Sequence, residues 1–272
     1  MQFVTWKWNA EHWKKPTAYT AEHVNVLFSM LQRHYRAPFE MVCITDDPGG
    51  IRPEIRTLPI WNDFQKMGRC WRRLRLFSGE MRELIGPRFV SIDLDTVIVK
   101  DITSLFSAQV PFKIWGEYWR KTPYCGSLMM MDAGARGFVW DQFPEMRGDY
   151  EPNAFGRMPY GSDQDHITRC LFPFEDIWTI EDGIHNFNYT VRKWARFALN
   201  EKSESKYHNG QYARMYHELT GRTDWSRRVT RPAMKGNGEI PPGARIIFFN
   251  GKYDPSDPDL QQEYPWVAEH WR

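Results

Sequence analysis

Two carboxylates one residue apart, Asp93 and Asp95, interrupt an apolar, β-branched run over residues 89–99 (FVSIDLDTVIV) that reads as one central strand. Side chains two apart on a strand leave on the same side, so the pair is expected to project together from the end of residues 89–92. Two anions held within a few ångströms repel, and burying them is costly unless a cation or strong donors compensate. The arrangement therefore points to a divalent metal. Hard oxygen ligands favour Mg²⁺ or Mn²⁺, with coordination positions left for substrate phosphates. An ion held there would act as a Lewis acid, neutralising charge that grows on a diphosphate as a glycosidic or phosphoester bond breaks. The competing reading is architectural: Asp95 caps the strand end, and Asp93 pairs with an arginine of the preceding helix.

The elements that must hold the pair can be read on either side of it. Residues 2–8 alternate and are rich in Val, Thr and Trp, which predicts a first strand running into a polar loop through Lys15 and Pro16. Thr20 is placed as an N-cap, after which Val24, Leu27, Phe28 and Leu31 recur at helical spacing until the run closes before Pro38. Residues 39–45 (FEMVCIT) read as a strand stopped by Asp46-Asp47-Pro48-Gly49-Gly50, with a short strand over 55–58. A helix is expected over 69–84, with Trp71, Leu74, Phe77, Met81 and Leu84 on one face and Arg72, Arg73 and Arg75 crowding it. Further strands are expected over 112–115, 127–131 and 245–249, and helices over 135–142 and 162–170. Strand, helix, strand at the start is the opening of an α/β sheet.

Bulk composition narrows the function classes. With 42% hydrophobic and 26% charged residues, the 272-residue chain is a folded protein rather than a disordered one. Aromatics at 15%, including 13 Trp, suit a heavily packed core or a site that stacks planar rings. Lys and Arg number 36 against 34 Asp and Glu, so the net charge of +2 makes no global case for nucleic-acid binding. The four cysteines (Cys43, Cys70, Cys125, Cys170) are far apart and lack zinc spacing, which suits reduced thiols in a cytoplasm. No 18-residue apolar run and no signal-peptide pattern is present, so a cytoplasmic protein without a transmembrane segment is expected. Over residues 191–237 the apolar periodicity fades, and eleven Lys and Arg face four Asp and Glu. This reads as a basic insertion: a solvated excursion, or a surface for an acceptor or anionic partner.

The stretch 70–77 (CWRRLRLF), then Leu84-Ile85-Gly86-Pro87, then residues 89–106 (FVSIDLDTVIVKDITSLF) resembles the core of GT-A glycosyltransferases, in particular the family-8-like branch. The resemblance covers about forty contiguous residues in order. It implies a single GT-A domain over 1–272, with a mixed sheet flanked by helices. It also implies Mn²⁺ or Mg²⁺ as cofactor, a nucleotide-sugar donor (a UDP-sugar foremost), and transfer to an unidentified carbohydrate or other acceptor with retention of configuration. Tyr124-Cys125-Gly126-Ser127 is similar to the segment that lays a small-residue turn against the donor sugar, so Gly126 and Ser127 become donor contacts; Cys125 stands where Asn is commoner. Gly161-Ser162-Asp163-Gln164-Asp165 resembles the DQD element, making Asp163 and Gln164 the catalytic candidates: Asp to hold hydroxyls, Gln to offer its carbonyl oxygen to an oxocarbenium-like centre. The same residues also read as a helix N-cap. Residues 248–255 (FFNGKYDP) resemble the late HGxxKPW loop, with Asn250 where His completes the metal shell, and Gly251 and Lys252 as phosphate contacts; a plain turn is the alternative. The loop after the first strand, with Thr5, Trp6 and Lys7, would meet base and ribose, Trp6 by stacking or simply as core. Of Arg73 and Arg75, either of which would reach the donor, Arg73 is taken.

Two other classes compete. Asp93-Leu94-Asp95-Thr96-Val97 also reads as the DxDx[TV] motif of haloacid-dehalogenase-type phosphohydrolases, in which Asp93 would be the nucleophile. That motif normally opens its domain, whereas here a strand, a helix and a strand precede it. The Trp content and the basic insertion suit a non-catalytic carbohydrate- or nucleic-acid-binding module. A nucleotidyltransferase should carry a Gly-rich loop after the first strand, and residues 5–8 contain no glycine.

Overall fold

The computed structural model describes residues 1–8, 19–61, 69–116, 123–143, 162–193, 211–222, 236–251 and 253–272. Its main sheet has seven strands: β1 (Gln2–Lys7), β2 (Glu40–Thr45), β3 (Arg56–Pro59), β4 (Arg88–Ile92), β6 (Phe112–Gly116), β7 (Tyr124–Asp132) and β8 (Asp176–Trp178). They lie in the order β3-β2-β1-β4-β7-β6-β8. Strands β3, β2, β1 and β4 run parallel, β7 is antiparallel to both β4 and β6, and β6 is parallel to β8. A second sheet is built from β5 (Thr96–Ile98), β10 (Ile246–Phe248) and β9 (Ile184–Asn186), in the order β5-β10-β9. This mixed, helix-flanked α/β architecture is the fold class expected from the sequence.

Period-2 alternation divides the core into two layers. Phe3, Met41, Cys43, Val90 and Ile92 enter one cluster, while Val4, Val42, Ile44 and Phe89 enter the other. The first layer is filled by α1 (Ala21–His34), through Val24, Leu27, Phe28 and Leu31, and by the second sheet, through Val97, Ile184, Ile246 and Phe248. The second layer receives Trp71, Leu74, Leu76 and Phe77 from the arginine-rich segment, together with Val139 and Ile167.

Two expectations are revised. The run 89–99 is not one strand: β4 ends at Ile92, β5 begins at Thr96, and the two belong to different sheets. Residues 93–95 are the junction, because the Asp93 N–H donates to Ser127 O at 3.0 Å while Asp95 O accepts from Phe249 N–H at 2.8 Å. The segment 69–84 is a 3₁₀ helix (Arg69–Phe77) followed by the short α2 (Met81–Leu84), not one α-helix. Strands β8 and β9, a π-helical turn (Phe187–Val191), and the C-terminal helices Pro258–Glu263 and Pro265–His270 had no expectation. Within the expected insertion a helix, Gln211–Thr220, is described, and most of the remainder lies outside the described residues.

Candidate active site

Strand β1 is hydrogen-bonded to β2 on one side and to β4 on the other, so the chain's path reverses between β1 and β4. In open α/β sheets ligands bind in the crevice outside the carboxyl ends of the strands at such a reversal. A cavity of about 260 Å³ lies here. Its walls are Trp6, Trp8, Tyr19, Cys70, Arg73, Asp93, Leu94, Asp95, Ser127, Gln164, Asn250 and Gly251. Eight of the expected site residues therefore meet in one place: Trp6, Arg73, Asp93, Asp95, Ser127, Gln164, Asn250 and Gly251.

The buried guanidinium of Arg73 organises the acidic side. Nη2 donates to Asp93 Oδ1 at 2.6 Å, and Nη1 forms an ion pair with Asp163 Oδ2 at 3.1 Å. The architectural reading of Asp93, as partner of an arginine from the preceding segment, thus describes a real contact. Burial alone would lower the Arg73 pKa, but the two carboxylates hold it above its ordinary value. Asp163 is pushed up to about 6, burial and the charge of Asp93 outweighing the pull of Arg73. Gly126 explains how Arg73 fits. A Cβ there would collide with Nη1, so only glycine lets the guanidinium lie on the β7 backbone. Gly126 therefore faces Arg73, and it is Ser127 that reaches the cavity.

Asp95 is 7% exposed, and its Oδ1 is buried with no hydrogen-bond donor among the described residues. Burial first, then the charge of Asp93, raises its pKa, while a hydrogen bond from Tyr19 works the other way. The Tyr19 phenol is itself pushed well up by burial and by Asp95 and Asp93. An orphaned carboxylate oxygen beside a second carboxylate fits a divalent cation. Among the described residues, no group of three or more His, Cys, Asp or Glu is arranged to hold a metal, so the carboxylates on offer are Asp93 and Asp95.

Helix α4 (Asp163–Leu171; α3 being Gly137–Asp141) begins at Ser162, whose side chain accepts from Asp165 N–H, so the N-cap reading of this segment is also correct. The first turn sends Asp163 to Arg73 and Gln164 to the cavity, where Gln164 Nε2 donates to Cys125 Sγ at 3.5 Å. Asn250 follows β10; Gly251, at φ 101°, takes a backbone conformation that favours glycine. Lys252 and Gly161 lie outside the described residues. Thr5 is fully buried on β1, and Lys7 donates to Asp47 O at 2.5 Å; neither lines the cavity. Trp6 lines it with Nε1 buried and without a partner among the described residues, and Trp8 lines it beneath Arg72, whose guanidinium stands 5.4 Å from the ring centroid.

Trp8, Tyr19, Cys70 and Leu94 were not singled out from the sequence. Leu94 had a signal, being the residue between the two acids. Tyr19 and Cys70 had none, since only the tertiary fold brings them to the acids.

No protein-family model matches the sequence, and no curated protein matches it. Solved structures do match in fold. The galactosyltransferase LgtC in complex with donor and acceptor sugar analogs is 11% identical, with 99% of this chain and 95% of that one covered and a TM-score of 0.54. An active-site mutant of LgtC gives 11% identity, the same coverage and a TM-score of 0.55. The glycosyltransferase GlyE of Streptococcus pneumoniae TIGR4 is 10% identical with a TM-score of 0.53; the match covers 99% of this chain and 61% of GlyE. The chain has the GT-A fold that these glycosyltransferases share.

Proposed function

We propose that this chain is a metal-dependent glycosyltransferase that moves a sugar from a nucleotide-diphosphate donor, a UDP-sugar foremost, to a carbohydrate or other acceptor with retention of configuration. The observation that carries the reading is the cavity at the β1/β4 reversal, in which the orphaned Asp95 Oδ1, Asp93 and Gln164 converge. Asp93 and Asp95 would hold Mn²⁺ or Mg²⁺, which when bound supplies Lewis-acid neutralisation of the departing diphosphate. Arg73 keeps Asp93 in place and adds fixed positive charge. Gln164 offers a neutral amide to an oxocarbenium-like centre. Having no titratable group, it cannot take the acceptor's proton, which leaves with the phosphate oxygen freed as the glycosidic bond breaks. Trp6 and Trp8 supply ring faces for a base or sugar.

The whole of 1–272 would act as one catalytic domain, with the basic region 191–237 toward the acceptor. The four cysteines are thiols rather than disulfide partners, which suits a cytoplasmic setting, and no described helix is long and apolar enough to cross a membrane. In the phosphohydrolase alternative Asp93 would be a free nucleophile, yet its Oδ1 is held at 2.6 Å by Arg73.

The test is a screen of UDP- and GDP-sugars with Mn²⁺, following nucleotide release with and without candidate acceptors. Slow metal-dependent hydrolysis of at least one donor is expected, and no binding or hydrolysis of any donor would sink the reading. Metal-dependent UDP binding that survives both Asp93→Asn and Asp95→Asn would remove the metal assignment. An inverted product anomer by NMR would remove retention.

A further inference from the structure

The resemblance makes Asn250 a metal ligand through its carbonyl oxygen, but its hydrogen bonds give that oxygen another partner. The chain of contacts starts at the main chain. The Asn188 N–H donates at 3.0 Å to the side chain of Asn186, and only the Asn186 carbonyl oxygen, Oδ1, can accept it. Asn186 Nδ2 must then be the atom that faces Asn250, and it donates to Asn250 Oδ1 at 3.0 Å. That fixes the Asn250 carboxamide in turn, and its Nδ2 donates at 2.8 Å to Ser127 Oγ. Asn188 Nδ2 also donates to the Asn250 carbonyl at 2.5 Å and pins the backbone. Asn186 and Ser127 are both almost fully buried, and of the two only Ser127 lines the cavity. The oxygen of Asn250 is thus turned to the protein, and the nitrogen to the cavity.

Two hydrogens are left over. Asn250 Nδ2 carries a second N–H beyond the one given to Ser127. Ser127 Oγ receives from Asn250 and from Cys125 Sγ at 3.4 Å, so its own O–H remains to be donated. Among the described residues neither hydrogen has an acceptor. A pair of neighbouring donors on a cavity wall matches a ligand oxygen with several lone pairs.

We infer that Asn250 and Ser127 together form a donor pair for a phosphate or sugar oxygen of the bound ligand, with Asn186 as the positioning residue that turns the Asn250 amide, and that Asn250 does not ligate the metal. The inference rests on the nucleotide-sugar reading for the identity of the ligand, but not for the orientation of the amide.

The experiment has two arms. In the first, NMR of the ligand-free wild-type protein, the Asn250 side-chain NH₂ is expected to show contacts to the Ser127 methylene protons. Contacts from that NH₂ to the Asn186 side chain instead would overturn the inference without reference to any ligand. In the second, Mn²⁺ alone and UDP with Mn²⁺ are titrated into wild type, Asn250→Ala and Asn186→Asp. Asn250→Ala is expected to leave affinity for Mn²⁺ alone within about twofold and to weaken UDP by roughly tenfold or more. Asn186→Asp keeps the acceptor for Asn188 but sets an oxygen against Asn250 Oδ1, which inverts the amide. UDP binding should weaken and Mn²⁺ binding tighten. A tenfold loss of Mn²⁺ affinity in Asn250→Ala would make Asn250 a metal ligand and overturn the inference. Unchanged UDP affinity in that variant would overturn the donor role alone. A wild type that binds no nucleotide, with its amide oriented as described, would overturn the ligand assignment together with the reading it rests on.

Discussion

Arg73 lies against Gly126 with no room for even a methyl group between the guanidinium and the β7 backbone. The contact lets one arginine reach both Asp93, at the end of β4, and Asp163, at the start of α4. The position of the acidic junction and that of the helix bearing Gln164 are therefore set by the same side chain.

Gly126→Ala should displace Arg73 rather than merely fill space. Overpacking of this kind costs about 1–3 kcal/mol, and the loss of the bridge should reduce donor turnover by more than the stability loss would suggest. Thermal melts together with nucleotide-release rates check this. Full activity in the variant would show that Arg73 has slack.

Arg73→Met should destabilise by about 3–5 kcal/mol at pH 8, because it leaves Asp93 and the buried Asp163 without their cation. The effect should depend on pH. A carboxylate whose folded pKa is raised, as that of Asp163 is to about 6, contributes stability that is intact below its unfolded value near 4 and lost as pH rises through the folded one. Removing Arg73 raises it further, so urea unfolding should show a larger deficit at pH 8 than at pH 5. Arg73→Met combined with Asp163→Asn should recover part of the loss at pH 8. An equal deficit at both pH values would contradict this electrostatic account.

His185, in the centre of β9, is held neutral by burial, which depresses its pKa to about 4. A histidine shifted down contributes stability that is present above its unfolded value near 6.5 and lost as pH falls through the folded one. The wild type should therefore lose on the order of 3 kcal/mol from this group between pH 6.5 and 4. His185→Phe should lack that component. Thr190 would keep a partner, since its Oγ1 also donates to Asn186 O at 2.8 Å. The informative quantity is the difference between the two pH profiles, because the raised carboxylates contribute with the opposite sign in both proteins.

The amphipathic α1, the strands flanking it and the acidic pair were legible because apolar periodicity and turn residues are local signals. The run 89–99 misled because strand propensity cannot separate one long strand from two short ones. Val90, Ile92, Val97 and Ile98 all pack in one core layer, which a single alternating strand would not allow for the adjacent Val97 and Ile98. Segment 69–77 was expected as α-helix on its pattern of Trp71, Leu74 and Phe77. Its arginines, however, are fixed by distant partners: Arg72 over Trp8, Arg73 on Asp93 and Asp163, and Arg75 over Trp61 and Trp140. Such tertiary demands override local preference. The Asn186–Asn250–Ser127 chain joins three segments remote in sequence, and no spacing rule reaches that far.

The junction between the two sheets is stitched by main-chain atoms, through Asp93 N–H to Ser127 O and Phe249 N–H to Asp95 O. The carboxylates that would do the chemistry carry none of those stitches. At Asp95 scaffold and reactivity are thus written on different atoms of one residue, whereas the Asp93 carboxylate is also gripped by Arg73. A lineage that exchanges Asp95 alone falls silent as a catalyst and keeps the architecture as a binding protein.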